Sequence, residues 1–164
     1  MIQRPFEEIV AEHGPTVLRV CRAVVGPIDA DDAWSETFLA AMRAYPALRP
    51  DSNIEAWLVT IAHRKALDHV RAGKRRAITV SEFPVVEDPS ARVDQRVEGW
   101  EHGLWDALRA LPDKQRQTVV YHHVAGLPYR DVAGIVGGTE VAARRAAADG
   151  IAAIRRMLAE GPRP

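Results

Sequence analysis

Cysteine is almost absent from this sequence. Cys21 is the single cysteine among 164 residues, so neither an internal disulfide bond nor a zinc site with several cysteine ligands can form. It lies in the apolar run VLRVCRAVV, where we expect a small buried side chain rather than a reactive thiol. The sequence therefore excludes cysteine-based metal sites, and we predict no cofactor.

Long apolar segments are also missing. No apolar run approaches the roughly 18 residues that a membrane-spanning helix needs. The first residues, MIQRPFEEIV, lack the basic and apolar regions of a secretory signal. We therefore expect a cytoplasmic protein with no membrane partner.

Motifs typical of catalysis are absent as well. The sequence contains no glycine-rich phosphate loop, no nucleophile elbow and no paired carboxylates that indicate a pocket. The acidic cluster of Asp29, Asp31 and Asp32 lacks the ligand spacing of a calcium loop. His122 and His123 are adjacent, so they project from different sides of a helix without a second pair of ligands. We predict neither a metal site nor an enzyme.

A charge excess of one sign is missing too, because 22 basic and 22 acidic residues give a formal net charge of zero. By itself this balance argues against a nucleic-acid-binding protein. The charges are nevertheless arranged in blocks, with net values of −4 for residues 1–62, +5 for 63–76, −5 for 77–106 and +4 for 107–164. A partner experiences charge within a Debye length of about 8 Å, so the neutral total conceals two basic regions.

The segment Trp57–Arg76 (WLVTIAHRKALDHVRAGKRR) is the most informative part of the sequence. Its apolar residues recur at helical spacing, which predicts a helix with one side packed on a core. Six Lys or Arg residues accompany one Asp between His63 and Arg76. Such a surface can bind a polyanion, with nucleic acid as the first candidate. Taken alone, the segment leaves open a solvated helix face with a basic linker.

Apolar periodicity predicts helices over nearly the whole chain. The predicted helices cover residues 6–13, 16–25, about 29–45, about 53–73, 100–111, 114–124, 129–136 and 139–158. Gly14-Pro15 separates the first two, Asp29 or Asp31 can cap the third, and Ser52 or Asn53 can cap the fourth.

Residues 77–98 contain two prolines, an acidic excess and no sustained periodicity, apart from a short strand-like stretch near residues 78–86. This composition predicts a flexible linker. The fold class is therefore predicted to be all-α, with two small helical domains, residues 1–76 and 99–164, joined by a flexible acidic linker at residues 77–98.

The second domain contains a segment, Tyr129–Arg145, with helix-turn-helix spacing. Gly137 lies at the turn, Thr139 can cap the second helix, and Arg144 and Arg145 lie near the start of that helix, where base edges are read. The following residues, 146–150, carry little charge, and glycine lowers helix propensity by about 1 kcal/mol relative to alanine. Any DNA contact must be concentrated at the start of the helix, and a purely structural helical hairpin is the alternative.

Three motifs in this order resemble bacterial RNA polymerase sigma factors of the extracytoplasmic-function (ECF) class in the sigma-70 family. Residues 29–41, DADDAWSETFLAA, resemble the polymerase-binding motif D-A-E-D-x-x-Q-E/D-x-F-L. Residues 56–71, from Ala56-Trp57-Leu58 to Arg71, resemble the promoter-melting helix A-W-L-x-x-I-A-x-N-x-x-x-D-x-x-R. Residues 108–158 resemble the L-P-x-x-Q-R module and its helix-turn-helix. The resemblance covers nearly the whole chain.

The resemblance implies a protein that binds core RNA polymerase and directs promoter recognition and transcription initiation. The matching polymerase-binding positions are Asp29, Asp31, Asp32, Trp34, Ser35, Glu36 and Phe38. The minus-ten element would be bound and melted by Trp57, Thr60, His63, Arg64, Lys65, Asp68, Arg71, Lys74, Arg75 and Arg76. The minus-thirty-five element would be read by Tyr129, Arg130, Thr139, Glu140, Arg144 and Arg145. Because ECF factors are often held inactive by an anti-sigma protein, such a protein is a third candidate partner beside polymerase and promoter DNA.

The sequence departs from the family pattern at several positions. Ser35 replaces the usual Gln, which weakens one expected polymerase contact, and Arg64 replaces the Asn that helps to read a flipped base. Ala146 and Asp149 replace residues that are usually basic. We therefore expect an altered minus-ten preference and a minus-thirty-five contact that is weak or unusual in sequence.

Two other functions are compatible with these motifs. A stand-alone helix-turn-helix transcriptional regulator would bind its operator tightly without polymerase. A polymerase-binding adaptor with a decayed DNA-reading helix would bind polymerase without starting transcription.

Overall fold

The computed structural model describes residues 3–80 and 99–161, and the regular structure in these parts is helical. The helices are α1 (Phe6–Val25), α2 (Ala30–Ala44), α3 (Ile54–Val80), α4 (Gly99–Ala110), α5 (Asp113–Val119), α6 (Tyr129–Val136) and α7 (Glu140–Glu160). A short 3-10 turn, Tyr45–Ala47, follows α2, and a π-helical turn, Val120–Val124, follows α5. The all-α prediction is confirmed. Within these parts of the chain, no helix is long and apolar enough to span a membrane.

Helix α1 is continuous, so the predicted break at Gly14-Pro15 is wrong. A proline inside a helix removes one backbone hydrogen bond and costs about 3 kcal/mol or more. Packing offsets this cost: Gly14 is buried against Trp34, and the Trp34 indole Nε1 donates a hydrogen bond of 2.9 Å to the Gly14 carbonyl oxygen. Gly14-Pro15 is therefore a contact site for α2 rather than a helix boundary.

Two of the predicted capping residues form capping hydrogen bonds and a third does not. The Asn53 Oδ1 accepts a hydrogen bond of 3.1 Å from the Ala56 amide at the start of α3, and the Thr139 Oγ1 accepts one of 3.1 Å from the Ala142 amide in α7. Asp29 occupies the N-cap position of α2, but its side chain makes no capping hydrogen bond. Local sequence thus identified the start of each of these helices.

Helix α3 does not end at Gly73, as the sequence predicted, but continues to Val80. Gly73 is an unstrained helical residue here, and the three residues that follow it, Lys74, Arg75 and Arg76, are strong helix formers. Residues 78–80, where the sequence shows a strand-like pattern, are therefore helical as well. Residues 81–98, most of the predicted linker, lie outside the described parts of the chain.

The C-terminal helices pack closely through small residues. α7 buries Ala143, Ala147, Gly150 and Ile154 on one side, which faces α5 and α6. A Cβ atom placed on Gly150 would lie 2.7 Å from the Cγ2 of Val119 and 3.5 Å from the Gln115 carbonyl oxygen. Gly150 therefore allows α5 and α7 to approach. From the sequence it looked only like a weakness in the helix.

The two domains also pack against each other. α1 contacts α4, α5 and the π-helical turn, and α3 contacts α6. Tyr121, in the π-helical turn, is fully buried, and a hydrogen bond of 2.6 Å joins its hydroxyl to Nδ1 of His63 in α3. Cys21 is fully buried too, as predicted, and burial raises the pKa of its thiol to about 12. One continuous apolar core therefore extends through both domains.

Replacing Gly150 should lower stability although alanine is the better helix former. The new Cβ would collide with buried Val119, and overpacking of this kind costs about 1–3 kcal/mol, which exceeds the gain in helix propensity of up to about 1 kcal/mol. We expect Gly150→Ala to lower the free energy of unfolding, measured by urea denaturation. The matched control is Gly134→Ala in α6, where a Cβ meets nothing within 4 Å, and it should raise stability by about 0.5–1 kcal/mol. A stabilised Gly150→Ala variant would contradict the close contact.

Candidate nucleic-acid interface

The predicted polymerase-binding residues of α2 divide between two sides of the helix. Asp31, Asp32, Ser35 and Glu36 are exposed, whereas Phe38 is buried and Trp34 is half-buried. The Trp34 and Phe38 rings pack 4.7 Å apart, and Phe38 also meets Phe6 of α1. The carboxylates can therefore reach a partner, while the aromatic side chains hold α2 on α1.

The outer side of α2 carries an apolar groove that the sequence analysis missed. It has a volume of about 760 Å³ and lies between α1 and α2, lined by Phe6, Glu7, Val10, Trp34, Ser35, Phe38, Leu39 and Met42. Leu39 and Met42 are each 50% exposed. The sequence contains one signal for this groove. Leu39 and Met42 are three residues apart, which places them on the same side of the helix, in addition to the apolar residues that α2 buries. The acidic side of α2 thus borders an apolar strip.

Glu36 is not isolated from the rest of the domain. Its carboxylate lies 3.3 Å from the imidazole Nε2 of His69 in α3. This contact connects the predicted polymerase-binding helix to the predicted DNA-binding helix. By contrast, Asp32 forms no ion pair with the residues that the structure describes.

Most of the predicted minus-ten residues line the exposed side and the C-terminal end of α3. Arg64, Asp68, Arg71, Lys74, Arg75 and Arg76 are exposed, and Trp57, Thr60 and Lys65 are half-buried. The Thr60 hydroxyl donates to the Ala56 carbonyl oxygen at 2.7 Å, and the Trp57 ring packs 6.3 Å from Tyr45. The continuation of α3 beyond Gly73 keeps the basic run on a helix, which extends the cationic surface.

His63 is the exception among these positions. The resemblance placed it among the residues that bind the minus-ten element, but it is only 8% exposed and lies edge-on against Tyr121 with the ring centroids 5.6 Å apart. Burial lowers the pKa of His63, and the nearby Arg64 guanidinium lowers it further. In this arrangement His63 contributes to the contact between the domains, and DNA cannot reach it.

The predicted helix-turn-helix is present as α6 and α7. Gly137 adopts the positive φ expected at the turn, 87°, and Ala133 is buried where the two helices meet. The Arg144 guanidinium is held from two sides. It donates a hydrogen bond of 2.9 Å to Glu140 and lies 5.3 Å from the centroid of the Tyr129 ring.

Tyr129 is itself fixed by stacking. Its half-buried ring lies 3.8 Å from the His122 ring with an interplanar angle of 15°, and His122 Nδ1 is bonded to the Leu127 carbonyl oxygen at 2.7 Å. Tyr129 is thus a fixed neighbour of the Arg144 guanidinium. His122 is half-buried and His123 exposed, which agrees with the predicted difference between them. Across the described ranges, no cluster of three potential metal ligands occurs.

The remaining predicted minus-thirty-five residues lie on the surface. Thr139 and Glu140 begin α7, and Arg130 is exposed beside Asp131, with 3.5 Å between the Arg130 Nε and the Asp131 Oδ1. Arg145 is exposed and makes no ion pair with the described residues. The geometry therefore presents one restrained arginine and one unrestrained arginine at the start of α7.

Comparison with protein families agrees with this arrangement. The family model "Sigma-70 region 2" matches residues 9–76, and the model "Sigma-70, region 4" matches residues 102–154. The RNA polymerase sigma factor CarQ of Myxococcus xanthus is 30% identical over 159 residues, which cover 96% of this chain and 91% of CarQ. The chain belongs to the ECF sigma factors of the sigma-70 family.

Other relatives agree with this assignment. The ECF RNA polymerase sigma factor SigD of Mycobacterium tuberculosis is 32% identical over 148 residues, covering 85% of this sigma factor and 70% of SigD. Among solved structures, the sigma factor RpoE in complex with the anti-sigma factor NepR from Bartonella quintana has a similar fold, with a TM-score of 0.79 at 19% identity over 96% of this chain and 98% of RpoE. CnrH in complex with the cytosolic domain of CnrY gives a TM-score of 0.67 at 22% identity, covering 96% of this chain and 89% of CnrH.

The contact between His63 and Tyr121 should make stability depend on pH. Because burial lowers the pKa of His63 from its ordinary value of 6.5, folding favours the neutral ring. This contribution is present above pH 6.5 and is lost as the pH falls below it. We expect the melting temperature of the wild type to fall more between pH 7.5 and 5.5 than that of His63→Gln.

A second variant tests the contact itself. Tyr121→Phe removes the hydroxyl, and it should lower stability at pH 7.5 because the buried His63 Nδ1 loses its partner. Equal losses in the wild type and His63→Gln would exclude His63 as the titrating group.

Proposed function

We propose that this sigma factor uses the exposed side of α2 to bind core RNA polymerase and two separate helical surfaces to recognise promoter DNA. The observation that supports this most strongly is the presence, on one chain, of an acidic helix face, a basic helix and a helix-turn-helix with an exposed recognition helix. A polymerase-dependent DNA-binding protein needs all three.

The polymerase-binding surface would consist of acidic and apolar parts. Asp31, Asp32, Ser35 and Glu36 offer charge to a basic partner, and Asp29 lies at the start of the same helix. The groove with half-exposed Leu39 and Met42 adds apolar area beside these carboxylates. A central apolar contact bordered by charges is the common composition of a specific protein interface. Trp34 and Phe38 would contribute by supporting the helix from beneath.

The minus-ten surface would be the exposed side of α3. Arg64 and Arg71, followed by Lys74, Arg75 and Arg76, can contact phosphates of the promoter. Trp57, Thr60, Lys65 and Asp68 lie on or beside this surface, and a base that leaves the stack would be received here at a cost of a few kcal/mol. For His63 to contact DNA, the two domains must first separate.

The minus-thirty-five surface would be the first turns of α7. Arg144 is aimed by Tyr129 and Glu140, and Arg145 is unrestrained and points outward. Arginine at this place in a recognition helix typically reads guanine in the major groove, with a discrimination of about 1–3 kcal/mol for each bidentate pair. Arg130 and Thr139 flank these residues and would bind the DNA backbone.

We propose further that an anti-sigma protein can regulate this factor. RpoE was solved in complex with the anti-sigma factor NepR, and CnrH was solved in complex with the cytosolic domain of CnrY. Both RpoE and CnrH have folds that resemble this one. The exposed apolar groove on α2 offers such a protein a binding surface. We assign the factor no catalytic role and no cofactor, and we place it in the cytoplasm with its proposed partners.

Run-off transcription with purified core RNA polymerase over a pool of genomic promoters tests the proposed function. Adding the factor should produce transcripts from a defined subset of promoters, whereas core enzyme alone should not. Electrophoretic mobility assays with the same fragments should show little specific duplex binding without core enzyme. Tight specific binding without core would favour a stand-alone regulator, and core binding without transcripts would favour the adaptor.

Charge reversal on α2 should weaken polymerase binding. Asp32→Lys replaces an exposed carboxylate that has no ion pair among the described residues, so an interface charge is reversed without breaking an internal contact. We expect the dissociation constant for core enzyme to rise about tenfold, as measured by fluorescence anisotropy. Glu160→Lys, an equal charge change near the end of α7, is the matched control. Unchanged affinity of Asp32→Lys in a folded protein would exclude α2 as the binding face.

A further inference from the structure

Val141 is an apolar side chain that the internal packing of the protein does not explain. It is 77% exposed in the first turn of α7. The other large apolar residues that are exposed in the described chain are Ile28, Leu39, Met42 and Leu158. Leu39 and Met42 line the groove on α2, and Leu158 lies beside Gly103 of α4. Val141 belongs neither to that groove nor to the apolar core cluster of the described residues.

Helix formation does not explain Val141 either. Valine is β-branched, so it loses side-chain freedom in a helix and is a weaker helix former than alanine. The cap of α7 is made by Thr139, and Glu140 supplies the negative charge of the first turn. The local structure would therefore be at least as stable with alanine at this position, which suggests a role in contact with a partner.

The position of Val141 identifies the kind of partner. The buried side of α7 contains Ala143, Ala147 and Gly150, and at 3.6 residues per turn Val141 and Arg145 lie on the opposite side, one turn apart. Arg144, three residues after Val141, borders the same surface. The outermost side of the recognition helix thus combines one apolar side chain with two guanidinium groups.

This combination corresponds to the chemistry of the DNA major groove. Guanidinium groups bind guanine O6 and N7, and the apolar feature of that groove is the 5-methyl group of thymine. A protein surface that bound only phosphates would have no use for the valine. A surface for an apolar protein partner would need several such side chains, yet the neighbouring outward residues of α7 are Arg145, Ala148 and Asp149.

We propose that Val141 reads the 5-methyl group of one thymine in the minus-thirty-five element, adjacent to a base pair contacted by Arg144 or Arg145. This inference rests on the proposed function, because it requires that α7 enters the major groove of that element. It assigns part of the sequence preference to an apolar contact, on a helix in which residues 146–150, directly after Arg145, carry a single charge, on Asp149. The preferred element then contains an A·T pair next to a G·C pair.

The test uses holoenzyme assembled from core polymerase and the full chain. A promoter is first selected by the wild type from a library that is randomised upstream. Each thymine of its minus-thirty-five element, on either strand, is then replaced in turn by deoxyuridine, which removes only the methyl group. For the wild type, the rate of run-off transcription should fall about fourfold at one position, the value expected for one buried methyl group.

Two variants assign that loss to Val141. Val141→Ala should transcribe the thymine promoter more slowly and should show no further loss with deoxyuridine at the same position. Ile28→Ala removes an equally exposed apolar side chain in the other domain, 78% exposed, and should behave like the wild type. Since Val141 is exposed and alanine is the better helix former, its replacement by alanine should not lower the melting temperature.

The outcomes separate this inference from the function on which it rests. The thymine contact would be overturned if no deoxyuridine substitution lowered the transcription rate of the wild type, or if the Val141→Ala variant kept the wild-type sensitivity to the substitution. Either result would leave the sigma-factor function intact. A selected element without a thymine would overturn the thymine contact in the same way. If no promoter yields transcripts above core enzyme alone, the proposed function and this inference both fail.

Discussion

The packing of the two described domains against each other depends on the burial of Tyr121. A fully buried phenol hydroxyl without a hydrogen-bond partner would cost about 1–3 kcal/mol, and the partner here, His63, belongs to the other domain. The Tyr121 ring lies in the apolar core that both domains share, while its hydroxyl can be satisfied only when α3 is correctly placed. Burial thus supplies the attraction between the domains, and the hydrogen bond between Tyr121 and His63 supplies its direction.

The same contact divides the proposed functional surfaces into two groups. The acidic side of α2, the basic C-terminal part of α3 and the first turns of α7 are exposed, so each can meet its partner while the domains are packed together. The middle of α3, at His63, is covered by the C-terminal domain. The proposed initial contacts with polymerase and with phosphates would therefore need no rearrangement, whereas access to the covered part of α3 would require that Tyr121 leave its buried site.

Where local chemistry decides the structure, the sequence predicts it correctly. Asn53 and Thr139 cap their helices, Gly137 takes the positive φ of the turn, and the helical periodicity locates α4 to α7 within a few residues. Predictions from the sequence are wrong where a residue distant in the chain decides the structure. Pro15 remains inside α1 because Trp34 packs on Gly14, and His63 leaves the exposed surface because Tyr121, 58 positions away, receives it. Neither contact has a signature in the neighbouring sequence.

A distant contact of this kind, between Gly150 and Val119, also determines how the proposed DNA-reading helix α7 is oriented. In the sequence, the run of small residues after Arg145 was compatible with a decayed DNA-reading helix. In the fold, Ala143, Ala147 and Gly150 form the side of α7 that lies against the rest of the domain, and Val119 approaches Gly150 so closely that no Cβ would fit. This close contact fixes which side of α7 faces the rest of the domain. The small residues therefore determine which side chains point outward, and the direction they impose presents Val141 and Arg145 together. The sparse charge of residues 146–150 and the exposed valine of the first turn then accompany one packing arrangement, in which the proposed sequence preference would depend on a few directed side chains rather than on many basic ones.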